Sequence, residues 1–194
     1  MRIHPSAKTR RHAATVGCAL ALAVGLAACG HKVAHPTYAD ANNNGAYLWA
    51  GQVTYQLQVS RELNPYNIED RQYLTGVSSI ALPADEEWYA VFLWAWNQTK
   101  QAQTTANSFD IVDTQGNRYY PVALSPTVNP FAWSAQTLPP KATEPAVGSI
   151  AYYGANQGAE LLFKINDSVY SNRPLMLEIH APGQSFPSTI ALDI

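Results

Sequence analysis

The chain has 194 residues, with 14 acidic against 12 basic side chains, a formal net charge of −2 and only 13% charged residues. No basic excess marks it as a nucleic-acid binder or as a protein held electrostatically on anionic lipid. Its 5 Trp and 11 Tyr supply many large rings, while its 2 cysteines leave room for one disulfide at most.

The N-terminus reads as a targeting segment. Arg2, Lys8, Arg10 and Arg11 precede an apolar run over 13–26, with no acid before Asp40. A permanent transmembrane helix needs about 20 apolar residues, so the run is too short to be one. It ends in Leu26-Ala27-Ala28-Cys29-Gly30. A large aliphatic residue, two small ones and a cysteine resemble the lipobox of bacterial lipoproteins. The resemblance implies that 1–28 is a signal peptide and that Cys29 becomes the lipidated first residue. Cys18 does not compete, because Thr15 stands where the aliphatic residue belongs. Cleavage leaves 194 − 28 = 166 residues and a charge of 8 − 14 = −6, since four of the 12 basic residues are removed. It also leaves no pair of cysteines, so the domain depends on its core alone. One domain is expected at this length. The expected location is the extracytoplasmic face of the cell membrane, with the lipid on Cys29 as the attachment.

Residues 29–45 follow as a flexible tether, "CGHKVAHPTYADANNNG". Such a coil would reach about 20–25 Å on average. His31 and His35 lie in it, but a proline follows and nothing supports the helix that would pair them on a metal. The folded domain is expected over 46–194. In "GQVTYQLQVS" (51–60), Val53, Tyr55, Leu57 and Val59 alternate with Gln and Thr, the mark of a half-buried strand. "EEWYAVFLWAWNQT" (86–99) is apolar on both faces: Tyr89, Val91, Leu93 and Ala95 point one way, Trp88, Ala90, Phe92, Trp94 and Trp96 the other. "SFDIVD" and "NRYYPVAL" read as a pair of strands. "GSIAYYG", "AELLFKI", "LMLEIHA" (175–181) and "TIALDI" (189–194) read as four more. No convincing helical period appears after the signal segment. The expected fold is all-β, an antiparallel sandwich of about seven to nine strands. Two long connections, 61–76 and the five-proline stretch 125–147, stand out as functional or loosely ordered loops.

In "SFDIVDTQGN", Phe109 and Ile111 share one strand face, and Ser108, Asp110 and Val112 the other. Asp110 and Asp113 are three apart and leave opposite faces, so they do not clasp one cation. An EF-hand would need alternate oxygen ligands and a later Glu, which are missing. The stretch predicts a hairpin, with Asp113 opening the turn and Gly116 taking positive φ.

The series "YAVFLWAWNQT", "NSFDIVDTQGNRYYP", "SIAYYG", "GAELLFKI" and "RPLMLEI" resembles bacterial envelope lipoproteins with a single immunoglobulin-like domain of unknown function, relatives of the immunoprotective extracellular domains. The motifs that carry it are Asn97-Gln98-Thr99, the hairpin Phe109 to Tyr119, and Leu161 to Ile165. Pro139-Pro140-Lys141 departs from the Pro-Gly-Glu turn usual in those domains. The resemblance implies an immunoglobulin-like fold and an envelope location, and brings no catalytic residues.

No nucleophile elbow, zinc-protease helix or Gly-rich phosphate loop is present. His180 is the one histidine inside the expected fold, and it reads as an end-of-strand surface residue. The acid pair Glu69 and Asp70, beside Arg61 and Arg71, reads as solvated rather than as a glycosidase pair. No catalysis, cofactor or metal is therefore expected. The candidate ligand or partner surface comprises Trp94, Trp96, Phe131 and Trp133 with Tyr66, Tyr73, Glu69 and Asp70 of the 61–76 loop. The rings are either sandwich core or a platform for a sugar ring or a peptide. The expected role is a lipid-anchored binding or accessory module acting through protein–protein contacts at the envelope, with a glycan-binding module as the alternative.

Overall fold

The computed structural model describes residues 35–40 and 46–192. Cys18, Cys29 and His31 lie outside the described residues, and with them the cleavage and lipidation expected at the N-terminus. The strands are β1 (Tyr38–Asp40), β2 (Tyr47–Ala50), β3 (Val53–Leu63), β4 (Glu86–Trp96), β5 (Gln103–Thr104), β6 (Ser108–Val112), β7 (Arg118–Tyr119), β8 (Thr137–Leu138) and β9 (Thr143–Glu144), then β10 (Ala159–Asn166), β11 (Leu175–His180) and β12 (Ser188–Leu192). Four of these have two residues, so 12 − 4 = 8 strands are longer. Among the described residues, one helical turn, α1 (Ile150–Tyr153), and a 3₁₀ turn (Asp167–Ser171) complete the set.

The strands form two large sheets, ordered β1-β12-β11-β6-β7 and β10-β4-β3-β2, with β9 pairing the end of β4. β4 pairs β10 in one sheet while β6, β11 and β12 pair in the other, the crossing pattern of an immunoglobulin-like sandwich. Pairing is antiparallel except for β1, which runs parallel to β12. The core between the sheets is built by alternation: Tyr89, Val91, Leu93 and Ala95 from β4 meet Phe109, Ile111, Leu177 and Ile179 from the facing sheet.

Three expectations are corrected. Part of the segment read as a free tether belongs to the domain: Tyr38–Asp40 is a strand, and the His35 ring lies 4.2 Å from that of Trp49, tilted by 56°. Simple alternation through 59 fails, because a β-bulge between Leu57 and Val59 pairs them with Leu93 and Phe92 in turn. One extra residue flips the phase, so Val59 packs on the outer face. "GSIAYYG" is a helical turn rather than a strand. Ser149 caps it, its Oγ accepting from the Tyr152 amide at 3.2 Å, which satisfies a donor that a strand would have paired laterally.

The outer face of β4 carries a second apolar cluster. Trp88, Ala90 and Phe92 are buried there with Leu63, Tyr73, Leu74 and Phe131. Both long loops supply its cover. The 61–76 loop is knotted by Asp70, which accepts from Arg61 Nη2 at 2.5 Å and from the Asn64 amide at 2.9 Å. The proline-rich stretch docks on the edge of β10 through Glu160 N to Phe131 O (2.7 Å) and Trp133 N to Glu160 O (2.8 Å), covering an edge that would otherwise be open.

Candidate functional site

The cover stops short of the end of β4. Register places Tyr47, Gln56 and Trp94 in one row across β2, β3 and β4, and Trp49, Thr54 and Trp96 in the next. Their inward neighbours Leu48, Ala50, Val53, Tyr55, Leu93 and Ala95 are core, so these six side chains point outward. Strands lie about 5 Å apart, so the ring rows on β2 and β4 stand about 10 Å apart across β3. On β3 between them are only a threonine and a glutamine. Tall aromatic walls over a low polar floor make a groove, of about 310 Å³, lined by Tyr47, Thr54, Trp94, Trp96, Lys141, Thr143 and Tyr152. Tyr152 comes from α1 and stacks on Trp94 with centroids 4.7 Å apart and planes at 22°.

The floor and rim are held by hydrogen bonds. Thr54 Oγ1 donates to Trp96 O at 3.0 Å and accepts from Gln98 Nε2 at 3.2 Å. The rim turn Pro139–Ala142 is closed by Ala142 N to Pro139 O at 3.1 Å. The fully buried Asn97 fixes that turn, its Nδ2 donating to Leu138 O and Pro139 O, each at 3.0 Å. Lys141 sits third in the turn at φ +66°, and its Nζ donates to Gln98 O at 2.5 Å.

The other candidate residues divide. Phe131 and Tyr73 leave the candidate surface, because they are buried in the second cluster and meet edge to face at 4.8 Å. Asp70 leaves it too: it is buried, and although burial pushes its carboxyl up, Arg61 and the Asn64 amide outweigh this and hold it below the usual range. Trp133 is half-buried and turned inward, its Nε1 donating to Ala106 O at 3.1 Å and its ring set edge-on to Phe109. Glu69 is exposed, and Tyr66 and Ile68 at the loop tip are each 85% exposed. Trp94 and Trp96 thus do not share a surface with Phe131 and Trp133. Their partners are Tyr47, Tyr152 and Lys141.

Two polar clusters were not read from sequence. On the outer face of the other sheet, His180 Nε2 lies 2.6 Å from Asp110 Oδ1, and Arg118 pairs with Asp110 and with Glu178 (2.8 Å). Asp110 and Glu178 face each other across β6 and β11, and Arg118 comes from the returning arm of the hairpin. Asp110, Glu178 and His180 offer ligand atoms within 4.8 Å of one another, but the Arg118 guanidinium already pairs with both carboxylates. Those carboxylates in turn raise its pKa, Glu178 most. The hairpin itself forms as expected: Asp113 Oδ1 accepts from the amides of Gln115 and Asn117 at 2.9 Å, and Gly116 has φ +84°. The second cluster centres on Glu160, 2% exposed, whose Oε2 accepts from Asn129 Nδ2 at 3.2 Å and whose Oε1 has no hydrogen-bond partner among the described residues. Burial pushes its carboxyl up to about 8, against the opposing pull of Asn129 and Arg61.

No family model and no curated protein matches the chain. Among solved structures it is similar to the yjhA protein from Bacillus subtilis, at 13% identity and TM-score 0.48, over 82% of this chain and 100% of that one. It is also similar to a conserved hypothetical protein from Bacillus anthracis, at 12% identity and TM-score 0.45, over 74% of this chain and 91% of the other. A third, described as an uncharacterized beta-sandwich protein from Clostridium difficile 630, has 11% identity and TM-score 0.42, over 84% of this chain and 99% of that one.

Proposed function

We propose that the chain is a non-catalytic binding module, lipid-anchored through Cys29 at the extracytoplasmic face of the membrane, whose ligand is a saccharide seated in the aromatic groove. The observation that carries it is the pairing of rings from β2 (Tyr47) and β4 (Trp94, Trp96) with the hydroxyl of Thr54 from β3 between them. Sugar rings present apolar C–H faces and polar edges, and aromatic side chains combine the same two characters. A peptide that binds by extending a sheet needs a free edge. The groove instead lies over β3, whose backbone is paired on both sides by β2 and β4. Recognition there falls to upward-facing side chains. The test is equilibrium binding of purified cell-wall polysaccharide to the full chain in detergent. Trp96→Ala is expected to weaken it at least about tenfold, the loss of one stacking ring; binding unchanged in Trp96→Ala and Trp94→Ala would refute the groove.

A second reading has its own observation. Tyr66 and Ile68 project from a loop that Asp70 and Tyr73 fix to the sheet. Rigidly presented apolar side chains suit contact with an envelope protein. Tyr66→Ser/Ile68→Ser should abolish co-purification of such a partner while leaving saccharide binding intact. The anchor is tested by Cys29→Ser, which should move the protein from the membrane to the soluble fraction.

A further inference from the structure

We infer that the groove selects acidic saccharides and that Lys141 is the residue that determines this selectivity. The inference rests on the saccharide reading above and names the class of sugar. Of the seven residues lining the groove, Lys141 is the only charged one, so the site presents a single positive group among rings and hydroxyls. The position is built. Pro139–Ala142 is a tight turn whose third residue has φ +66°, where glycine or asparagine is at ease and a lysine is strained. Asn97, fully buried, anchors the turn by its side chain, and the Lys141 amide donates back to Asn97 O at 2.9 Å. β9 then pairs with the end of β4, Thr143 opposite Trp96, fastening the turn beside the ring walls. Lys141 Nζ spends one proton on Gln98 O and has two left to donate. Gln98 in turn reaches the groove floor through Thr54. A carboxylate on a stacked sugar ring would complete this chain of donors, whereas a cationic sugar would meet like charge.

The strain supplies a clean variant. Lys141→Gly removes the ammonium at a φ that glycine adopts without strain, and its melting temperature, measured beside binding, separates loss of the charge from unfolding. The probes are hexamers of galacturonate, mannuronate and β-1,4-linked glucuronate, each beside its neutral parent sugar, titrated into the full chain in detergent at low salt. At least one acidic hexamer is expected to bind about tenfold tighter than its neutral parent. Lys141→Gly should erase that preference, leaving acidic and neutral hexamers with equal affinity, while the melting temperature is unchanged. Trp96→Ala should weaken both. Equal affinity of acidic and neutral hexamers, or a preference that survives Lys141→Gly, would overturn the role of Lys141 and leave the groove standing. No binding by any of the six would overturn both readings.

Discussion

Glu160 shows what a single buried acid does to a sandwich of this kind. It sits on the outer face of β10, beneath the loops, with Asn129 as its side-chain partner. Its folded pKa of about 8 lies above its ordinary value of 4.5, so the folded state holds a proton that the unfolded chain has lost. Stability is then fully present below the unfolded value and declines as pH rises towards 8, by about 1.4 kcal/mol per pH unit while the difference of one proton lasts. Glu160→Gln should flatten the urea-denaturation midpoint between pH 4.5 and 8, and should be the more stable form at pH 8. A slope unchanged by the substitution would remove Glu160 as its cause. Arg118 is the converse, a cation shared by two acids. Arg118→Met leaves Asp110 and Glu178 facing each other, so its melting temperature should fall. Adding Glu178→Gln should recover part of the loss, because one like charge is gone; no recovery would mean that Arg118 acts through packing alone. Neither cluster was legible in the sequence. Asp110 and His180 are 70 positions apart, and only strand pairing brings them to 2.6 Å. Glu160 stands in "AELLFKI", where alternation gives its face but not the loop that covers it.

Among the elements, β4 carries the largest share of the design. Its two apolar faces were legible, and both are used as read, one in each cluster. Whether the second face was core or platform was open in the sequence; Trp88, Ala90 and Phe92 are core, and Trp94 and Trp96 line the groove. The loops bury Trp88 and Phe92 and stop before Trp94 and Trp96. That boundary depends on loop paths set by Asp70, Asn129 and the bulge in β3, none of which has a local periodic signature. Phe92→Ala should therefore behave as a core truncation and cost about 3–5 kcal/mol in urea denaturation. Trp96→Ala, half-exposed on the same face, should cost markedly less. Equal costs would contradict the division of the strand. The hairpin after β6 was legible in full, because Asp113 and Gly116 act on neighbours two to four residues away. The turn at α1 was not, because Tyr152 and Tyr153 suit a strand equally well until Trp94 offers a stacking partner.

At the scale of the whole molecule, an all-β sandwich and most of its strands followed from alternation and turn chemistry, since these are local. The groove did not. It requires the register of β2 on β3 and β3 on β4, which places Tyr47 and Trp49 across from Trp94 and Trp96. The sandwich leaves Trp94 and Trp96 at that end of the sheet partly buried and fastens a lysine at φ +66° beside them. The most direct measurement is tryptophan fluorescence of the full chain in detergent, quenched by iodide with and without cell-wall polysaccharide. Iodide should reach a fraction of the emission, and the polysaccharide should shield that fraction. Trp94→Phe/Trp96→Phe should delete most of the shielded component while Trp49, Trp88 and Trp133 continue to emit. Emission that is blue, unquenched and indifferent to polysaccharide would mean that the groove takes no such ligand.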